Sequence, residues 1–120
     1  MKHPFILWPL CCLAACSGPP APDAALCQDV VTRLCLSSAC PGVSAQLSPG
    51  LDCEATLLER TGCEAEDFAF STPTRERFLT CREPLLRQGI TTQQAPACSD
   101  TLEFLSECQD VVGFFRGGQP

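Results

Sequence analysis

Apolar residues recur three and four positions apart in four segments of the chain, the spacing that places side chains on one face of an α-helix. The segments predict helices over residues 24–36, 49–61, 73–88 and 96–115. Long strand-like runs of β-branched or aromatic residues are absent from the sequence. We therefore predict an all-α fold, a small disulfide-stapled bundle of about four helices within a domain spanning residues 24–116. The side chains predicted to face inward are Cys27, Val30, Val31, Leu34, Cys35, Cys53, Leu57, Leu58, Phe78, Cys81, Leu85, Cys98, Leu102, Leu105, Cys108, Val112 and Phe115.

Residues that favour helix ends stand beside each of these segments. Small polar or acidic side chains accept hydrogen bonds from the first free N–H groups of a helix, and proline is tolerated in its first turn. An acid three residues after such a cap resembles a capping box. The predicted caps are Asp23, Ser48 before Pro49, Thr72 before Pro73, and Asp100 with Glu103.

Glycine and proline divide the pattern further. Gly62 is predicted to end the second helix, because glycine readily adopts the left-handed conformation found just after helices. Pro84 lies inside the third segment and is predicted to kink or divide it, since proline cannot donate a helical hydrogen bond. Residues 41–50 and 63–72 are predicted loops, and residues 117–120 a short tail.

The N-terminal segment has a different character. After Lys2, an uninterrupted apolar run covers residues 5–15 and ends in Leu13-Ala14-Ala15-Cys16. Eleven residues are too few for a membrane-spanning helix, which needs about 20, but they match the apolar region of a secretory signal. The four residues Leu13 to Cys16 resemble the lipobox of bacterial lipoprotein precursors.

This resemblance implies that residues 1–15 are a signal peptide, cleaved between Ala15 and Cys16. It also implies that the Cys16 thiol carries fatty acyl chains such as palmitate. Residues 16–23, rich in proline, would then tether the domain to the bacterial cell envelope. In this family an aspartate directly after the lipidated cysteine often retains the protein in the inner membrane. The chain has Ser17 at that position, which favours the outer membrane. The alternative is an ordinary signal peptide and a secreted protein.

Removal of the signal leaves a chain with an unusual composition. The 105 remaining residues contain seven arginines and 14 acids, a formal charge of −7, and no Lys, His, Trp, Tyr or Met. A negative surface does not favour nucleic acid as a partner. The length suffices for one small domain.

The 11 cysteines divide into groups by position. Cys11 and Cys12 leave with the signal, Cys16 takes the lipid, and eight remain. An even number of cysteines in a small exported chain predicts disulfide bonds, here up to four. Eight cysteines allow 105 pairings, so the connectivity stays open. The eight are Cys27, Cys35, Cys40, Cys53, Cys63, Cys81, Cys98 and Cys108.

The residue types needed for common catalytic chemistry are missing. The mature chain has no histidine as a base or metal ligand and no Cys-x-x-Cys redox motif. Cys35 and Cys40 have the spacing of half a zinc site, but export oxidises thiols. Glu64, Glu66 and Asp67 cluster near one another, and we interpret them as a solvated acidic loop. We therefore predict no catalytic residues, no metal and no cofactor.

Two cysteine patterns resemble known families. Cys53-x9-Cys63 and Cys98-x9-Cys108 are similar to the twin Cys-x9-Cys hairpin of mitochondrial intermembrane-space proteins, although 34 residues separate the two motifs here. Eight cysteines on about four helices also resemble plant lipid-transfer proteins, without their Cys-Cys and Cys-x-Cys motifs. The second resemblance implies a cavity for a lipid.

The expected function follows from the predicted anchor and from the missing catalytic residue types. We expect a non-enzymatic envelope lipoprotein with a structural or adaptor role, held at the membrane by its lipid and binding a protein partner. One alternative is a carrier or sensor of a lipid or small apolar ligand. Another is a secreted inhibitor-like module.

Overall fold

The structure is a computed structural model that describes residues 22–87 and 95–117. These ranges contain six α-helices, one 3-10 helix and no strand, which confirms the all-α prediction. Among them, no helix combines the length and apolarity needed to cross a bilayer. The elements are α1 (Pro22–Leu36), α2 (Val43–Leu47), α3 (Cys53–Thr61), α4 (Arg75–Cys81), the 3-10 helix (Glu83–Leu86), α5 (Cys98–Glu107) and α6 (Gln109–Phe115).

Helix α1 forms the centre of the hydrophobic core. Its predicted stripe of Cys27, Val30, Val31 and Leu34 is at most 1% exposed, and Cys35 is half-buried. Contacts with α3 and the 3-10 helix cover α1. The three- and four-residue spacing therefore identified the buried face of this helix correctly. The large side chains around it include Leu57, Phe78, Leu85, Phe104, Val111 and Phe115.

The fourth predicted helix is wrong as a single element. It is divided into α5 and α6 at Cys108, whose ψ of 58° lies outside the helical range. The inward face of α5 also differs from the prediction, because Thr101 and Phe104 are buried whereas Leu102 is 39% exposed. Cys98 is exposed as well. The buried face of α5 includes a threonine, so a pattern of apolar side chains alone does not identify this face.

Two predicted N-caps lie at other residues. Asp52, and not Ser48, caps α3 by accepting a hydrogen bond from the Ala55 N–H at 3.0 Å. Thr74, and not Thr72, caps α4. Ser48 instead closes the end of the preceding helix α2, where its N–H donates to the Ser44 carbonyl.

The two predicted aspartate caps have other partners. Asp23 is not a cap, because α1 already begins at Pro22, and the Asp23 carboxylate binds groups outside its own helix. Asp100 is not part of a capping box either, because α5 begins after Ala97 and has no side-chain cap. The Asp100 carboxylate accepts a hydrogen bond from Arg87 at 2.9 Å.

Helix α2 lies within the predicted loop 41–50. Its last carbonyls are bound by two arginines that are distant in sequence: Arg60 donates to Leu47 O at 2.7 Å, and Arg116 donates to Gln46 O at 2.6 Å. Cations at a helix C-terminus satisfy its free carbonyls and oppose its negative dipole end. This five-residue helix therefore depends on tertiary contacts that local sequence does not reveal.

The predicted roles of Gly62 and Pro84 are confirmed. Gly62 has φ of 76° and donates its N–H to the Leu58 carbonyl, which ends α3. The third predicted helix is divided, because α4 ends at Cys81 and a short 3-10 helix containing Pro84 follows. The segment 63–72 is non-helical, as predicted.

Candidate functional site

The eight predicted cysteines form four disulfide bonds, so that prediction is confirmed. Each pair has a Cα–Cα distance between 5.7 and 6.0 Å, well inside the range for a disulfide. The pairing that the sequence left open is Cys27–Cys63, Cys35–Cys53, Cys40–Cys98 and Cys81–Cys108.

Two of these bridges set α3 antiparallel to α1. Cys63, just after the end of α3, bonds to Cys27 near the start of α1, and Cys53 at the start of α3 bonds to Cys35 near the end of α1. The side-chain amide of Gln28 reinforces the first junction by donating to Cys63 O at 2.7 Å. Both ends of α1 are thereby fixed to a second helix.

The other two bridges position the C-terminal helices. Cys40–Cys98 joins the turn after α1 to the start of α5, and Cys81–Cys108 joins the end of α4 to the junction of α5 and α6. The twin Cys-x9-Cys hairpin is therefore not formed, because no bridge connects the 53/63 pair to the 98/108 pair. That resemblance does not extend to the fold.

The remaining candidate chemistry is not brought together. Cys35 and Cys40 belong to different bridges, so neither offers a thiolate to a metal. Glu64, Glu66 and Asp67 are exposed on the loop after α3. In the two ranges that the structure covers, no three His, Cys, Asp or Glu side chains are grouped to hold a metal ion. The predicted cleavage and lipidation residues, Ala15 and Cys16, lie outside the described residues.

Three partly exposed aromatic rings form a surface that we name the phenylalanine face, consisting of Phe68, Phe70 and Phe114. The ring centroids of Phe68 and Phe70 are 5.1 Å apart, and Phe114 lies 6.2 and 6.3 Å from them. Beneath the face, the buried ring of Phe78 stacks on Phe70 at 4.2 Å. Pairs at these distances stabilise one another, so the face is a firm surface of the core.

The phenylalanine face adjoins the first turn of α1 through Asp23. The Asp23 carboxylate accepts a hydrogen bond from the Phe70 N–H at 2.9 Å and forms an ion pair with Arg75. The Phe70 N–H, followed by the Arg75 guanidinium, lowers the pKa of Asp23 below its usual value. This carboxylate therefore attaches the loop of Phe68 and Phe70 to the point where the predicted tether meets the domain.

Three exposed leucines lie in segments that are joined near the opposite end of α1, and we name Leu36, Leu51 and Leu102 the leucine end. They are 42%, 58% and 39% exposed, respectively. Leu36 follows Cys35 and precedes Ser37. Cys35 bonds to Cys53, and Cys53 lies two residues after Leu51. Leu36 and Leu51 are therefore one and two residues away from a single bridge at the last turn of α1.

A buried pair of hydroxyl groups ties the third leucine to this end. Thr101, next to Leu102, donates from Oγ1 to Ser37 Oγ at 3.0 Å, and Ser37 Oγ lies 3.4 Å from the Pro96 carbonyl oxygen. Both hydroxyl groups belong to residues that are at most 2% exposed. Helix α1 has 15 residues, so the leucine end lies about 22 Å from the start of the helix.

Two surface grooves in the described ranges have charged and polar side chains along their walls. A groove of about 670 Å³ on α3 has four carboxylates along it, those of Asp52, Glu54, Glu59 and Glu64. Another, of about 460 Å³, contains Gln46, Gln109, Asp110 and Arg116 beside two apolar residues. Neither groove has the mainly apolar lining that a lipid carrier requires.

Comparison of this chain with protein-family models, curated proteins and solved structures found no match. Two groups of apolar side chains, the phenylalanine face and the leucine end, are partly or largely exposed in the described residues. Sequence reasoning missed both. Phe114 stands 44 residues after Phe70 with nothing local to connect them. The signal for Leu51 was present, because this leucine lies between Gly50 and Asp52 and outside every apolar stripe.

Proposed function

We propose that the mature chain is a lipid-anchored protein of the bacterial cell envelope that acts as a non-enzymatic adaptor, binding a protein partner through its leucine end. The observation that carries the proposal is the exposure of three leucines, 58% for Leu51, 42% for Leu36 and 39% for Leu102. Their segments are joined near the last turn of α1 by the Cys35–Cys53 bridge and the Thr101–Ser37 hydrogen bond. Exposed clusters of large apolar side chains are characteristic of interaction sites. Disulfide bonds agree with an oxidising compartment outside the cytoplasm.

The lipid anchor rests on the lipobox-like residues and is tested by the intact mass of the mature protein from a bacterial host. A chain that starts at Cys16 with fatty acyl groups attached is the expected result. Reduction should add the mass of about eight hydrogens, two for each of four bridges. An unacylated chain in the culture medium would instead indicate the secreted alternative.

The partner surface is tested by a photo-crosslinking residue placed at position 51 in living cells, with position 76 on α4 as the matched control. Leu51 and Glu76 are both exposed, but Glu76 lies outside the leucine end. One adduct of defined mass from position 51, lost when Leu36→Glu is added, is the expected result. Equal adducts from both positions would contradict the proposal, as would catalytic turnover by the purified chain.

A further inference from the structure

We propose that the phenylalanine face rests on the surface of a zwitterionic bilayer and holds the domain with its leucine end directed away from the membrane. This inference depends on the lipid anchor at Cys16 proposed above. It adds an orientation, which an acyl chain on a tether does not by itself supply.

The first observation is that the three partly exposed rings are neighbours. Phe68, Phe70 and Phe114 come from two separate parts of the chain, yet all three centroid distances are at most 6.3 Å. Each of the three residues packs against the core and is partly exposed to solvent. A rigid aromatic group of this kind inserts at the boundary between head groups and acyl chains without a cost for ordering the loop.

The second observation is the length of chain that precedes the domain. Cys16 lies six residues before Pro22, a distance of at most about 19 Å in a polyproline conformation. Asp23, the next residue, binds the Phe70 N–H directly. The face therefore lies at the end of the domain that an anchored chain would hold nearest to the bilayer.

The charge around the face selects the kind of bilayer. Glu64, Glu66 and Asp67 are exposed on the same loop, and the charge of Arg75 is already paired with Asp23. Anionic head groups would be repelled by these carboxylates, whereas the ammonium groups of zwitterionic lipids attract them. Phosphatidylethanolamine and phosphatidylcholine are therefore the lipids that this face fits.

The test uses tryptophan as a reporter of depth, because the mature chain contains no tryptophan or tyrosine. The full acylated protein is prepared with Phe68→Trp, with Phe114→Trp, or with Leu51→Trp at the leucine end as the matched control. Each variant is placed in phosphatidylcholine vesicles with brominated acyl chains, which quench tryptophan only where the ring reaches the acyl region. Far-UV circular dichroism and the mass change on reduction verify that each variant has folded.

The expected result is a blue shift and a loss of emission for the reporters at positions 68 and 114, with no change at position 51. The loss should be smaller in vesicles rich in phosphatidylglycerol. Water-like, unquenched emission from 68 and 114 in a vesicle-bound, acylated protein would overturn this inference and leave the anchor intact. Equal quenching at all three positions would also overturn it. An unacylated chain would overturn the proposed anchor and this inference with it, and the intact mass distinguishes that case.

Discussion

Removal of the Cys40–Cys98 bridge is the perturbation whose effect can be worked out most directly. Among the four disulfide bonds of the described residues, this bridge closes the longest loop, with a sequence separation of 58 residues. Cys98 is exposed and Cys40 is half-buried, so replacing both by serine leaves little unfilled space in the core. The variant Cys40→Ser/Cys98→Ser therefore tests the cross-link itself.

The expected magnitude follows from loop-closure entropy. For a loop of this length the chain-entropy relation gives about 4 kcal/mol of lost stability at 25 °C. The other bridges shorten the effective length of this loop. Because the closure entropy depends on the logarithm of loop length, the expected loss of stability decreases by only a few tenths of a kcal/mol. For a domain of this size, the loss corresponds to a decrease in Tm of about 15–30 °C.

The matched control is Cys35→Ser/Cys53→Ser, which opens a loop of only 18 residues between two half-buried cysteines. The same relation gives about 3 kcal/mol for this pair. Urea unfolding followed by far-UV circular dichroism measures both losses. Non-reducing peptide maps verify that the three remaining bridges are native in each variant.

An ordering in which the shorter loop costs as much as the longer one would refute the reasoning. A peptide map of the unmodified protein with any pairing other than Cys40–Cys98 and Cys35–Cys53 would refute its premise.

Three smaller perturbations test individual contacts. Asp23→Asn should make the stability depend less on pH in the acidic range. The pKa of Asp23 is lowered in the folded state, so the stability that this carboxylate contributes is present above about pH 4 and is lost as the pH falls through the folded pKa. The test is a comparison of Tm against pH for the variant and the unmodified protein. Thr101→Val should cost about 1–3 kcal/mol in urea unfolding, because the buried Ser37 hydroxyl loses its donor, whereas the double variant with Ser37→Ala should recover part of that loss. Arg87→Ala should shift the urea midpoint very little, despite ion pairs with three carboxylates, because solvent screens these partly exposed groups. A shift as large as that of Thr101→Val would show that the network supports the fold.

The proposed partner site and the proposed membrane contact lie at opposite ends of helix α1. Helix α1 connects the phenylalanine face to the leucine end, and a disulfide near each end fixes the helix to α3. A partner that binds the leucine end would therefore be held at a set distance from the bilayer. Loosening the Cys35–Cys53 bridge should weaken the crosslink from position 51 more than it changes quenching at position 68.

Some of the site was predictable from local pattern. The stripe on α1 was found because Cys27, Val30, Val31 and Leu34 recur at the helical period. The end of α3 was found because Gly62 adopts a backbone conformation that other residues avoid. On α5 the apolar pattern predicted that Leu102 is buried, whereas the neighbouring Thr101 is buried instead. Thr101 is held there by a hydrogen bond to Ser37, which lies 64 residues away in the sequence.

The sequence by itself determined that this chain is helical and that eight cysteines would pair, because helical periodicity and an even number of cysteines are visible in the order of the residues alone. The tertiary structure alone decided which cysteines meet and why α2 exists. It also decided that three phenylalanines form one face and that the segments carrying three exposed leucines are joined near the other end of α1. Those outcomes depend on distances between residues tens of positions apart, such as Arg116 and Gln46. Only packing of the whole chain sets such distances.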